Sequence, residues 1–176
     1  MSNENTAAPL RDPVGAADRA RRAKDALQQY GALPYRLTDA GLEVLLVTSL
    51  GRGRWIIPKG WPNEGEGFAA AAREAFEEAG VEGRAAPEPI GAYEYSKFRS
   101  GRARVVCRVD VHPILVTSEL EHWPEAEVRR RRWFTAEAAA AAVKEKPLAS
   151  LLRAAPAVLT GPDQTGARLG AADDTS

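Results

Sequence analysis

Three glutamates between Lys59 and Val81 have the residue type and spacing of a metal-binding group. Glu74, Glu77 and Glu78 fall on one turn of a predicted helix. Because an α-helix turns by about 100° per residue, Glu78 lies about 40° to one side of Glu74, and Glu77 lies about 60° to the other. Like charges at this spacing repel each other, whereas Mg²⁺ favours carboxylate oxygens together with water and phosphate ligands. The cluster therefore predicts a divalent-cation site.

The residues around the cluster predict how the helix is placed. Apolar side chains fill the arc at about 100° to 200° from Glu74, which predicts a packing face opposite the acidic face. These side chains are Phe68, Ala72, Ala75, Phe76 and Ala79. Gly80 stands where a left-handed residue commonly ends a helix. A predicted short strand, 54–58, and a glycine-containing loop, 60–67, come before the helix. A solvated acidic surface is the alternative interpretation, but strand, loop and acidic helix together favour a site for metal and phosphate.

This segment resembles the Nudix box, G-x5-E-x7-R-E-U-x-E-E-x-G-U, in which U is a bulky aliphatic residue. The matching positions are Gly60, Glu66, Arg73, Glu74, Glu77, Glu78, Gly80 and Val81. The chain departs from the pattern in two places. Six residues separate Glu66 from Arg73 where the family has seven, and Ala75 stands where a larger aliphatic residue is usual. The REAFEEAGV part of the box is intact.

Composition limits the classes of function. The chain has 176 residues, 44% of them hydrophobic, which suffices for one domain with its own core. Its formal net charge of zero argues against a dedicated nucleic-acid binder. The single cysteine, Cys107, excludes an internal disulfide, fits a reducing cytoplasm and is expected to be a core residue. We expect no membrane partner, because no apolar run approaches the length of a membrane span. The oligomeric state is left open.

The pattern of elements predicts one folded domain between two tails. We expect a flexible segment at 1–27, a domain at 28–158 and a disordered tail at 159–176. Predicted strands cover 32–37, 42–49, 55–58, 89–98, 103–118 and 129–134. Thr135 is expected to cap a second helix and Pro147 to open a third. Strands with a few packed helices indicate a mixed-sheet α/β fold, and the Nudix resemblance implies an α/β/α sandwich.

Outside the box, the chain resembles the diphosphoinositol polyphosphate and diadenosine polyphosphate phosphohydrolases. The segments LEVLLVTS, RWIIP, PIGAYEY, LEHWPE and RRRRWFTAEAA have counterparts there in the same order. The resemblance implies that Mg²⁺, or Mn²⁺, is held by Glu74, Glu78 and the Gly60 carbonyl. It also implies that Glu77 is the general base, and that Arg73 pairs with Glu77 to hold the helix to the loop.

The same resemblance implies that basic and polar residues on separate loops bind the substrate phosphates. They are Ser49, Arg52, Arg99, Arg102, Arg129 and Lys146. Lys59 is a further candidate for a cation at the metal loop, because the PKGW segment stands where the family has a run of glycines. A basic stretch of the family is replaced here by Gln28–Gly31, which argues against the most highly charged inositol substrates. Tyr30, Tyr35 and Trp61 are candidates for stacking on a base.

We therefore expect Mg²⁺-dependent hydrolysis of a phosphoanhydride bond in a dinucleoside polyphosphate, a small-molecule substrate. The alternatives within the enzyme class are diphosphoinositol polyphosphates or another nucleoside diphosphate derivative. Two alternatives lie outside it: a module that senses a phosphorylated ligand, and a structural or interaction domain.

Overall fold

The computed structural model describes residues 26–98 and 104–161, which form eight strands and three helices. The strands are β1 (Leu27–Thr38), β2 (Gly41–Thr48), β3 (Trp55–Ile56), β4 (Lys59–Gly60), β5 (Val81–Ala85), β6 (Gly91–Phe98), β7 (Arg104–Glu119) and β8 (Arg131–Thr135). The helices are α1 (Ala69–Ala79), α2 (Ala136–Ala142) and α3 (Lys146–Leu159). Nearly all of the two predicted tails lies outside the described residues, so their character stays a prediction.

All eight strands belong to one mixed sheet built around two long neighbours, β1 and β7. These two strands run parallel, with Leu27 opposite Cys107 and Tyr35 opposite Leu115. The other pairings are antiparallel: β2 and β4 share the free edge of β1, β5 and β6 share that of β7, and β3 and β8 pair with β2. The predicted hairpin of β1 and β2 is confirmed, although β1 begins at Leu27, earlier than expected.

Helices cover both faces of the sheet, so the expected α/β/α sandwich is confirmed. The face under α1 holds Leu45 and Ile114 against the short side chains of Ala71 and Ala75. The opposite core packs α2 and α3 onto the sheet, with Leu152 fully buried there. Cys107 is fully buried, as predicted. No helix among the described residues is both long and apolar enough to cross a membrane.

The predicted packing face of α1 is wrong in part. Phe68, which stands just before the helix, and Phe76 are each 39% exposed, whereas Glu74 and Glu78 are only 8% and 6% exposed. Alanines, rather than the phenylalanines, contact the sheet. Because alanine is short, the helix can lie close to the sheet, and the two neighbouring carboxylates are buried with it. The acidic cluster therefore belongs partly to the buried side of α1.

Other details of the elements differ from the sequence predictions in some places and confirm them in others. Strand β8 begins at Arg131 rather than at residue 129, and strands β4 and β5 were not predicted. Thr135 caps α2 by accepting a hydrogen bond from the Ala138 amide at 3.3 Å, as expected. Pro147 lies in the first turn of α3, where its missing N–H costs no helical hydrogen bond.

We predict that Gly80→Ala destabilises the protein more than Gly65→Ala does. Both glycines have positive φ, 60° and 72°, so both substitutions carry a conformational cost of about 1 kcal/mol. At Gly80 an added Cβ also lies 2.6 Å from Trp123, and overpacking of this kind costs about 1–3 kcal/mol more. At Gly65 it meets no described atom within 4 Å. Urea unfolding gives the two free energies, and equal losses would contradict the packing at Gly80.

Candidate active site

The C-terminal end of α1 is fixed by two side chains from other parts of the chain. Arg131 donates from Nη1 to the carbonyl oxygens of Ala79 and Gly80, at 2.8 and 2.9 Å. Its guanidinium also lies 4.2 Å from the centre of the Trp123 ring. The Trp123 indole donates to the Glu78 carbonyl at 3.2 Å. A cation at this end complements the helix dipole and its unpaired carbonyls, so the helix is held against β8.

Arg73 fastens the start of α1 to the preceding loop. Its Nε donates to Glu66 Oε1 at 2.8 Å, and its Nη2 donates to the Trp61 carbonyl at 2.8 Å. Arg73 also pairs with Glu77 at 3.2 Å, as the sequence predicted, and with Glu74 at 2.8 Å. The pKa of Glu66 is lowered, mainly because its carboxylate accepts a hydrogen bond from Arg73. The shortened spacing between Glu66 and Arg73 therefore leaves their ion pair intact.

Glu74 and Glu78 bring two buried carboxylates to strand β4. A methyl group built on Gly60 would overlap the Glu74 carboxylate, so only glycine leaves room for it there. The Lys59 amide donates to Glu78 Oε2 at 3.2 Å. Burial raises the pKa of Glu74, and it raises that of Glu78 to about 7, although Arg129 and Lys59 partly oppose the rise. For both carboxylates the effect of burial exceeds that of the neighbouring positive charges, and a bound cation would supply further positive charge.

Arg129 provides the nearest protein charge to Glu78. Its Nη2 pairs with Glu78 Oε1, its Nε pairs with Glu125, and its Nη1 donates to the Thr48 carbonyl at 2.8 Å. The Arg129 side chain is 6% exposed. All three nitrogens are thus committed to protein acceptors rather than pointing into an open cavity. Contact between Arg129 and substrate, which the resemblance implies, would require these bonds to rearrange, and it stays a prediction.

The donor set fits a hard divalent cation. Two carboxylates and the backbone at Gly60 are oxygen ligands of the kind Mg²⁺ takes, with water and substrate phosphate completing its shell. Within the described ranges, no three acidic, histidine or cysteine side chains surround a common point. The described residues therefore supply only part of the shell. Glu77 stands apart from the pair, with its side chain 40% exposed and bound to Arg73.

A basic cavity extends from this site. Lys59, beside Glu78, lines a small cavity of 80 Å³ that also contains Ser49 and Arg54. The ammonium of Lys59 lies 5.0 Å from the centre of the Tyr95 ring, and burial is the main cause that lowers its pKa. A larger cavity of 740 Å³ shares residues with the small one. Its charged lining consists of Arg52, Arg54, Lys97, Arg104 and Lys144, with Glu94 and Glu145.

The structure brings some of the predicted site residues together and separates others. Ser49, Arg52 and Lys59 line the two connected cavities. Arg99 and Arg102 lie outside the described residues. Lys146 is exposed at the start of α3 and does not line either cavity, whereas Lys144, two residues earlier, does.

Lys144 and Glu125 are residues of the site that the sequence analysis did not single out. Lys144 resembles any solvated lysine in the sequence. Glu125, the partner of Arg129, carried a signal in its i,i+4 spacing to that arginine.

Comparisons with known proteins show which family and fold this chain resembles. The profile of the NUDIX domain matches residues 28–155. Nudix hydrolase 12, mitochondrial, of Arabidopsis thaliana is 40% identical over 129 residues, 62% of this chain and 62% of that protein. Diphosphoinositol polyphosphate phosphohydrolase 3-beta of Bos taurus is 40% identical over 100 residues, 54% and 56% of the two chains.

Solved structures share the fold. The crystal structure of a C. elegans Ap4A hydrolase binary complex is similar with a TM-score of 0.59 at 23% identity, over 77% of this chain and 99% of that one. At this identity the likeness shows the fold alone. The chain spans about three fifths of the length of the curated relatives it matches.

We predict that the affinity for Mg²⁺ rises with pH across neutrality. With a pKa of about 7, Glu78 carries a proton over part of the range below neutrality, and this proton competes with the cation. The affinity should rise by up to about tenfold per pH unit below this pKa and level off above it. Calorimetric titration with Mg²⁺ at pH 6 and pH 8 measures the change. Glu78→Gln should bind weakly at both values, and a flat wild-type affinity would contradict the assignment of Glu78.

Proposed function

Because the chain belongs to the Nudix family, we propose that it is a divalent-metal-dependent pyrophosphohydrolase that cleaves a phosphoanhydride bond of dinucleoside polyphosphates. The observation that carries the proposal is the position of the buried pair Glu74 and Glu78 beside Lys59, which also lines the basic cavities. Carboxylates that favour a metal ion and a basic side chain that favours phosphate thus lie together at strand β4.

The chain's own residues divide the work of hydrolysis. Bound Mg²⁺ would supply polarisation of a phosphoryl oxygen and acidification of water, and Glu74, Glu78 and the Gly60 carbonyl are the residues that would hold it. Glu77, half exposed on the same helix, accepts the proton of the attacking water. The water oxygen bonds to phosphorus, the bridging P–O bond breaks, and the bridging oxygen leaves with the second phosphate. Both products end in phosphate.

The cations of the cavities position the substrate. Ser49, Arg52 and Lys59 line them, joined by Arg54, Lys97, Arg104 and Lys144. Phosphoryl transfer depends mainly on positioning and charge neutralisation, which this lining provides over a volume of 740 Å³. Arg99, Arg102, Arg129 and Lys146 remain further candidates on the strength of the family resemblance.

Diphosphoinositol polyphosphates are the second candidate substrates, since a relative that is 40% identical is a diphosphoinositol polyphosphate phosphohydrolase. Against them, β1 begins with Leu27 followed by Gln28 and Gln29 instead of basic residues, and Glu94 and Glu145 reduce the positive charge of the large cavity. A ligand-sensing module would bind these compounds without turnover.

We predict that Glu78→Gln lowers kcat by about 100-fold or more, since several kcal/mol of charge stabilisation at the metal are lost. The measurement is Mg²⁺-dependent release of phosphate-terminated products, alongside circular dichroism of each variant. Glu82→Gln makes the same chemical change at an exposed position of β5 and should leave kcat unchanged. Full activity in Glu78→Gln would disprove the metal assignment, and Glu74→Gln provides a second test if the first variant loses its fold.

We predict that Lys144→Ala raises KM for a diadenosine polyphosphate about fivefold with little change in kcat. The expected loss is the roughly 1 kcal/mol of one exposed charge interaction remote from the cleaved bond. Lys146→Ala removes an equal charge two residues away, outside the cavity lining, and should have the smaller effect. Steady-state kinetics compare the two, and a larger KM effect at Lys146 would restore the assignment based on resemblance.

A further inference from the structure

We propose that a separate, apolar cavity beside strand β4 binds the nucleobase of the substrate, with the Trp61 indole as its stacking surface. This inference rests on the proposed function, and it names the part of the substrate that distinguishes a nucleotide from an inositol phosphate. The cavity measures 330 Å³ and is lined by Leu27, Trp61, Lys97 and Val105. That volume lies at the lower end of the range typical of small-molecule sites.

The lining of this cavity selects for a flat, uncharged group. Leu27 and Val105 provide aliphatic walls, and Trp61 provides an extended aromatic surface. Leu27 and Trp61 remain 37% and 41% exposed, so burial against a ligand would remove apolar area from water. A phosphorylated inositol ring would bring several charges against these walls, where they lose hydration without compensation. A purine base has the flatness and polarity that suit the cavity.

The backbone that carries the Trp61 ring is held in place. Its carbonyl accepts the 2.8 Å hydrogen bond from Arg73 that also ties the loop to α1. The preceding residue, Gly60, is paired with Tyr30 in the sheet. The Trp61 ring therefore projects from a backbone that is held at Gly60 by the sheet and at the Trp61 carbonyl by Arg73. A surface fixed in this way loses little conformational entropy when it binds a ligand.

Lys97 joins the apolar cavity to the basic one. It lines both, and its ammonium lies 4.7 Å from the centre of the Trp61 ring. A nucleotide base in the apolar cavity would thus have its phosphates directed toward Arg54 and Arg104 in the basic cavity. This order of base and phosphate matches the chemistry of a nucleoside polyphosphate, which carries one end apolar and the other end anionic.

The test compares a ligand that has a base with one that does not. Calorimetric titration in the presence of Mg²⁺ gives the Kd of ADP and of inorganic pyrophosphate for each variant. Trp61→Ala should weaken ADP by about 5- to 150-fold, the range for loss of one base–aromatic stack, and leave pyrophosphate unchanged. Trp61→Phe should recover most of the ADP affinity. The Arg73 bond to the carbonyl is kept in both variants, because it involves only the backbone of residue 61.

Trp133→Ala is the matched control. Trp133 also carries a cation over its ring, Arg36 at 4.2 Å, but it lines neither of the two cavities. ADP affinity should be unchanged in this variant. Unchanged ADP binding in Trp61→Ala, or equal weakening of ADP and pyrophosphate, would overturn the inference.

Turnover separates this inference from the proposed function. Hydrolysis of diadenosine tetraphosphate is measured on the same wild-type preparation. Selective weakening of ADP by Trp61→Ala in a protein that hydrolyses no polyphosphate would uphold the base site and reject the proposed enzyme activity. Hydrolysis with the same KM in wild type and Trp61→Ala would uphold the proposed enzyme activity and reject the base site.

Discussion

The burial of two carboxylates on α1 is the constraint on which the rest of the site depends. Glu74 and Glu78 lie on the side of the helix that packs toward the sheet, where an ionised group without a partner is costly. Each carboxylate pairs with an arginine: Glu74 with Arg73 of the same helix, and Glu78 with Arg129 of the segment before β8. Glycine at position 60 then leaves the space that the Glu74 carboxylate occupies.

The basic run before Trp133 shows how one short segment serves several needs. Arg129 pairs with Glu78 inside the protein, and Arg131 binds the carbonyls at the end of α1. Arg132, which points to the other face of the sheet, lies 4.9 Å from the centre of the Phe134 ring. Arg131 and Arg132 are neighbours in β8, and successive side chains of a strand point to opposite faces of a sheet. Much of the positive charge that resembles a phosphate clamp in the sequence is therefore used to hold α1.

Helical periodicity was sufficient to predict the carboxylate cluster, but it did not predict which side of α1 is buried. Alanine carries little hydrophobic signal, so the arc containing Phe68 and Phe76 seemed the packing face, although the alanines contact the sheet. Strand β4 has two residues and no measurable alternation. The hairpin and the cap at Thr135 were predictable because their signals are local. The contacts of Arg129 with Glu78 and Thr48 were not, because these two partners come from distant segments.

Those distances along the chain bear on how the site is acquired. Arg129 meets Glu78 across 51 residues and Thr48 across 81, and β1 pairs with β7 only after most of the domain has been synthesised. Closing such long loops costs entropy before any contact offsets it, and topologies of this kind fold slowly. An emerging chain on the ribosome can form α1 early, yet it lacks the partner of Glu78 until residue 129 has left the exit tunnel. We therefore expect cation binding at Glu74 and Glu78 to require the completed domain, so that it would report on folding of that domain.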